Sequence, residues 1–133
     1  MPPTAIAIDS IKSLEKEVFG PVLHVIRFKR KAIDAVIDDI NSTGYGLTFG
    51  IHSRINHFVE YVISRVRAGN CYVNRNMIGA VVGLQPFGGQ GLSGTGPKAG
   101  GPHYLARLCQ EKTYIVDTTA AGGNASLMSI QEQ

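Results

Sequence analysis

Apolar positions recur with a strand or helix period through the first half of the chain, and the pattern then stops. Thr4–Ile8 alternates weakly and predicts a short strand, and Ile11–Lys16 predicts a turn or one helical turn. Val22–Phe28, VLHVIRF, is β-branched and apolar, which predicts a buried strand. Lys31–Asn41 predicts an amphipathic helix: Ile33, Val36, Ile37 and Ile40 share one face, with Asp34, Asp38 and Asp39 on the other. Ser42-Thr43-Gly44 ends it. Leu47–His52 predicts a strand, and Ser53 offers an N-cap to the helix that follows. That helix carries a continuous stripe of Ile55, Phe58, Val59, Val62, Ile63 and Val66 and stops at Ala68-Gly69-Asn70. Cys71–Val73 predicts a third short strand, Pro102–Leu108 a helical turn or two, and Lys112–Val116 a final strand. From Thr118 onward the residues are small and offer little to pack.

Strands joined through helices imply an α/β fold with parallel pairing and right-handed crossovers. Three central strands and two helices make a thin domain, because both faces of a parallel sheet need cover. The expectation is a piece of something larger. Its sheet edge is expected to expose Val and Ile from VLHVIRF or LTFGI, leaving the chain alone poorly soluble or oligomeric.

The break in periodicity is the stretch Gln85–Tyr104, with glycines at 88, 89, 91, 94, 96, 100 and 101. Such density means unusual backbone dihedrals or close backbone approach. Successive N–H groups in such turns can form an anion-binding nest. Phe87, Leu92 and Tyr104 provide anchors that a flexible linker lacks. Residues 89–94 match G-x-G-x-x-G, but neither the strand before it nor the helix after it that a dinucleotide fingerprint requires is in place. A P-loop fails as well, since no Ser or Thr follows Lys98.

Composition narrows the functional classes. The 133 residues suit one modest domain with a net charge of +3. The basic residues are scattered apart from Arg27–Lys31, which reads as a solvated strand end, so no nucleic-acid face is expected. No apolar run can span a bilayer and no signal peptide is evident, which makes the cytosol the default. Cys71 and Cys109 form no C-x-x-C, and neither has a residue placed to activate it; both read as inert thiols. His24, His52, His57 and His103 show no metal-ligand spacing. Glu17 stands just before the turn Phe19-Gly20-Pro21.

Four motifs in order carry a resemblance. Glu17-Val18-Phe19-Gly20-Pro21 resembles the E-[VI]-F-G-P motif of the aldehyde dehydrogenase superfamily. Pro86-Phe87-Gly88-Gly89 followed by Ser93-Gly94 resembles its P-F-G-G-x-x-x-S-G motif. Tyr45-Gly46-Leu47 and Gly69–Asn74 lie between them, where that superfamily has its Y-G-L and G-x-x-x-V-N segments. The likeness runs from about Pro3 to Asp117. VNRNMIGAVVGLQPFGG and SGTGPKAGGPHYL are similar to the L-glutamate γ-semialdehyde (pyrroline-5-carboxylate) dehydrogenase branch, and the tail TTAAGGNASL to the end of that domain in bifunctional proline-utilization enzymes.

The resemblance implies part of an aldehyde dehydrogenase catalytic domain at 1–117, with the loop 74–101, an oligomerisation-type strand at 112–117 and a tail at 118–133. It implies NAD as cofactor, with Glu17 on the nicotinamide ribose hydroxyls, Phe19 beside the nicotinamide and Leu47 lining its site. It implies Phe87 as an aromatic wall of the aldehyde tunnel and Gly100 and Gly101 as holders of the substrate α-carboxylate. The family's nucleophilic cysteine, general-base glutamate, oxyanion-hole asparagine and dinucleotide-binding domain match nothing in the chain. The expectation is therefore the C-terminal part of an NAD-dependent glutamate-semialdehyde dehydrogenase, inactive alone, serving a small-molecule substrate with a complementary upstream fragment and in a homo-oligomer. The competing expectation is a non-catalytic α/β carboxylate-binding or assembly module.

Overall fold

The structure is a computed structural model that describes residues 1–81, 83–94 and 96–117. The tail at 118–133 lies outside the described residues. Among the described residues, six short strands and three α-helices follow in the order β1 (Thr4–Ala7), β2 (Val22–Val25), α1 (Ile33–Ser42), β3 (Tyr45–Gly46), β4 (Thr48–Ile51), α2 (Asn56–Arg65), β5 (Asn70–Val73), β6 (Gln90–Gly91) and α3 (Tyr104–Arg107). Single 3-10 turns occupy Ile11–Ser13 and Arg30–Ala32.

The expected parallel pairing is present, but it is divided. β1 pairs with β2 in parallel from Thr4 opposite Val22 to Ala7 opposite Val25. β4 and β5, joined through α2, pair in parallel from Thr48 opposite Asn70 to Ile51 opposite Val73. β2 does not join that pair, so the single sheet of three central strands resolves into separate two-stranded ladders. The exposure expected on VLHVIRF is found: Leu23 is 62% exposed, and Val25, Ile26 and Phe28 also face outward.

Both helices form where the apolar stripes place them, and those stripes build the core. Ile37 of α1 (1% exposed) meets Val62 of α2 (2%) and Val66, with Ile33, Ile40, Phe49, Ile51, Phe58 and Ala68 around them. Asn41 locks the two helix ends. Its Nδ2 donates to the Arg65 carbonyl at 2.9 Å, and its Oδ1 accepts from the Arg67 N–H at 2.8 Å. One of the carbonyls that every helix C-terminus leaves without an intrahelical partner is thereby satisfied.

Two expectations need correction. Ser53 does not cap α2 directly: the N-cap is Ile55, and Ser53 Oγ accepts from the Ile55 N–H at 3.1 Å, forming the turn before the helix. Residues 112–117 do not form a strand within the chain, because a strand requires a neighbouring backbone and none of the described strands runs beside them. Tyr114 and Ile115 stand 82% and 85% exposed.

On the helix surfaces, the Asp34 carboxylate accepts from the Tyr61 hydroxyl and from the Arg65 guanidinium, and Arg65 also reaches Asp38 at 3.4 Å. The Tyr61 hydrogen bond holds the Asp34 carboxyl below its ordinary 3.8; desolvation, next in size, opposes it, and Arg65 adds to the lowering. A depressed carboxyl stabilises the fold above its unfolded value and loses that contribution as the pH falls through the folded value. Melting temperatures followed from about pH 5 to about pH 2.5 are therefore expected to fall less in Asp34→Asn than in the parent. The difference is expected to be small and to shrink in salt, because the cluster is exposed.

Candidate functional site

The glycine-rich stretch is held by backbone-on-backbone packing. It contains β6, which pairs antiparallel with β3, Tyr45 opposite Gly91 and Gly46 opposite Gln90. This two-residue pairing lies within the stretch where the apolar periodicity breaks off. Residues 89–94 run through β6 into a turn laid against β3, a context quite unlike a strand–turn–helix dinucleotide fingerprint. The Gly46 N–H donates to Ser93 Oγ at 3.0 Å, and the Leu92 N–H to the Gly44 carbonyl at 2.9 Å. Glycine is required at the contact with the body: a Cβ on Gly69 would stand 1.7 Å from the Gly88 carbonyl oxygen, and one on Gly46 2.1 Å from that of Arg67.

Beyond β6 the chain returns beside its own start. Phe87 and Ala99 exchange two backbone hydrogen bonds at 3.1 and 2.9 Å. The Gly101 N–H then donates to the Lys98 carbonyl at 2.9 Å, which closes a four-residue turn with Gly100 at φ +70°. A Cβ on Gly100 would meet nothing within 4 Å, so the turn needs glycine for its dihedral and leaves open space in front of it. Phe87, Gly100 and Gly101 are thus brought together. The Gly101 amide is spent on the turn, whereas the Gly100 amide has no partner among the described residues.

The other three sequence-derived residues lie apart from this turn. Glu17 is exposed on the wall of an open cleft of about 650 Å³, shared with Lys12, His24, Thr43, Tyr45 and Leu92. Phe19, two residues on, is 91% exposed and does not line that cleft. Leu47, between β3 and β4, is 41% exposed, and its carbonyl accepts from the Asn70 N–H at 3.0 Å. The cleft and the Phe87–Gly101 turn are not one pocket. They are linked by the glycine-rich stretch, which lends Leu92 to the cleft and Phe87 to the turn.

The two thiols differ in burial. Cys71 lies half-buried in β5, and burial pushes its thiol up despite the opposing Lys98 charge. Cys109 is exposed beyond α3 and lines neither the cleft nor the turn. A raised thiol holds less of the reactive thiolate.

Two residues that sequence reasoning passed over organise the turn. The Lys98 ammonium donates to the Gly69 carbonyl, to Asn70 Oδ1 at 3.0 Å and to the Gly88 carbonyl at 3.3 Å. Asn70 Nδ2 donates to the Pro86 carbonyl at 3.0 Å, and its Oδ1 accepts from the Gly88 N–H at 3.2 Å. The available signal was Asn70 following Gly69 at a strand start, and a single lysine among so many glycines.

These features agree with comparisons to known proteins. The model of the aldehyde dehydrogenase family matches residues 1–114. The chain is 63% identical over 108 residues to the bifunctional protein PutA of Rhizobium meliloti, covering 81% of this chain and 9% of that protein. It is 44% identical over 100 residues to 1-pyrroline-5-carboxylate dehydrogenase 2 of Halalkalibacterium halodurans, covering 75% of this chain and 19% of that protein. Among solved structures, a Bradyrhizobium japonicum proline utilization A variant superposes with a TM-score of 0.80 at 58% identity, covering 89% of this chain and 12% of that one. The 1-pyrroline-5-carboxylate dehydrogenase from Thermus with bound NAD gives 0.62 at 46% identity, covering 68% and 17%. The chain therefore spans a small part of the length of these relatives. With the match extending across the Glu17 segment, both parallel ladders and the docked glycine-rich stretch, the chain belongs to the aldehyde dehydrogenase family.

Proposed function

We propose that residues 1–117 form the part of an NAD-dependent L-glutamate γ-semialdehyde dehydrogenase of proline catabolism that receives the nicotinamide ribose and the substrate carboxylate. The observation that carries this reading is the Phe87–Ala99 backbone bridge, which brings Phe87 beside a turn whose Gly100 amide has no partner among the described residues. An amide donor with a flat apolar wall beside it suits a short aldehyde bearing a carboxylate. Gly101 contributes by closing the turn, and Gly100 is the donor.

The exposed Glu17 carboxylate fits the ribose of NAD, because a carboxylate accepts from both hydroxyls of a diol. Phe19 and Leu47 offer exposed apolar surface to the nicotinamide end. NAD would supply the hydride acceptor; the residues of this chain orient its ribose and hold the aldehyde by its carboxylate end. The remaining chemistry, a thiolate attacking the aldehyde carbon and a base activating water, falls to an upstream dehydrogenase segment. In an enzyme reconstituted with such a segment, Glu17→Ala is expected to raise the KM for NAD+ by about tenfold, the value of a lost charge-assisted hydrogen-bond pair, with the KM for aldehyde nearly unchanged. An unchanged KM for NAD+ removes Glu17 from the cofactor site.

The second reading, a non-catalytic assembly module, draws on one observation: Leu105, Leu108, Tyr114, Ile115 and Val116 are exposed together in one segment. In the first reading the same residues pair with another subunit of a homo-oligomer. Analytical ultracentrifugation checks the pairing in either case.

A further inference from the structure

We propose that Lys98 is the positioning residue of the carboxylate-binding turn, and that substrate affinity depends on its ammonium through the turn it holds. The proposal rests on the assignment of Gly100 to the substrate carboxylate made above.

An ammonium has three N–H donors and no acceptor. Here three oxygens surround it: the carbonyls of Gly69 and Gly88 and Oδ1 of Asn70. With its donors spent on the protein, Lys98 does not itself ligate a carboxylate. It acts through what it fastens. Gly69 directly precedes β5 and Asn70 opens it, and β5 is fixed by its ladder to β4. Gly88 follows Phe87, the aromatic wall. The backbone carbonyl of Lys98 accepts the Gly101 N–H that closes the turn. One residue therefore anchors the turn, the aromatic arm and the rigid strand to one another.

The packing leaves the two arms no slack. A Cβ on Gly88 would lie 3.3 Å from Lys98 Cα. Asn70 supports the same arm independently, through the Pro86 carbonyl and the Gly88 N–H. Loss of the ammonium thus leaves the arm attached through Asn70 and the turn paired to the arm through Phe87 and Ala99, and removes the tie that fixes Lys98 itself against Gly69, Asn70 and Gly88. The body of the fold, built on Ile37 and Val62, lies outside this cluster.

The test uses the ¹⁵N-labelled 133-residue chain, titrated with L-glutamate and followed at the Gly100 amide, with hydrogen exchange at the Ile37 and Val62 amides as a control. In the parent, glutamate is expected to shift the Gly100 resonance. In Lys98→Met, the affinity is expected to fall about tenfold or more, the scale of a misplaced charge-assisted hydrogen bond, with core protection unchanged. Lys98→Arg keeps the charge and donors on a longer stem and is expected to recover part of the loss. Equal affinity in Lys98→Met and the parent would overturn the proposal while leaving Gly100 as the carboxylate donor. No Gly100 shift in the parent would remove that assignment, and the proposal with it. Loss of core protection in Lys98→Met, or an arginine variant as weak as the methionine one, would make Lys98 a residue of general stability and also overturn it.

Discussion

Gly69→Ala is expected to detach the glycine-rich stretch from the body of the domain. The added methyl would stand 1.7 Å from the Gly88 carbonyl oxygen and 2.9 Å from Gly89 Cα, both backbone atoms with no rotamer to yield. Overpacking of this kind costs about 3 kcal/mol or more where backbone must move. The Lys98 bonds to Gly69 and Gly88 and the Asn70 bond to the Gly88 N–H depend on the same approach. Faster amide exchange at Phe87, Ala99 and Gly101 together with a lower denaturation midpoint is the expected result. Gly20→Ala is the control: a Cβ there meets nothing within 4 Å, and a change within about 0.5 kcal/mol is expected. Equal behaviour of the two variants would mean that the close approach at Gly69 does not hold the loop.

Ile37→Ala is expected to cost about 2–5 kcal/mol, the range for truncating a fully buried aliphatic side chain. Ile37 is the most buried large side chain among the described residues, and it ties α1 to α2 and to β4. Among the described residues few others are buried: Val59, Val62, Val66 and Tyr72 complete the buried apolar set. Domains are stable by only about 5–15 kcal/mol, and a core this small leaves little margin. Chemical denaturation should show a markedly lower midpoint, or a variant already unfolded in buffer. A loss below about 1 kcal/mol would show that the two helices are held by something other than this contact.

The helices were legible because an i, i+3, i+4, i+7 stripe has one structural solution, and α1 and α2 lie within a residue or two of the predicted bounds at most ends. The parallel pairing of β4 with β5 followed from the helix between them. The division into separate ladders was not legible, because a strand's own sequence does not record which neighbour it finds. The same reason explains 112–117: KTYIV has strand composition, but a ladder needs a partner backbone. β6 escaped notice because its residues, Gln90 and Gly91, carry no apolar pattern; its pairing comes from Gly44–Gly46 and Ser93 meeting across a gap that only glycine leaves open.

The site divides in the same way. Phe87, Gly100 and Gly101 came from a motif and do converge, although the Gly101 amide closes the turn instead of facing outward. Glu17 lines a cleft with its carboxylate exposed, but nothing local in the sequence tells that cleft from an ordinary surface. Lys98 went unread because its partners are two backbone carbonyls and an asparagine far from it in sequence. Backbone acceptors leave no mark on composition.

The most direct test of the account is NAD+-dependent oxidation of L-glutamate γ-semialdehyde, followed by NADH absorbance. It is run on the 133-residue chain alone and mixed with an upstream aldehyde dehydrogenase segment carrying the nucleophilic cysteine. The account predicts no NADH from the chain alone and NADH formation in the mixture. Activity from the chain alone would contradict it and return the search for a nucleophile to Cys71 and Cys109; silence in the mixture would also contradict it and favour the assembly module.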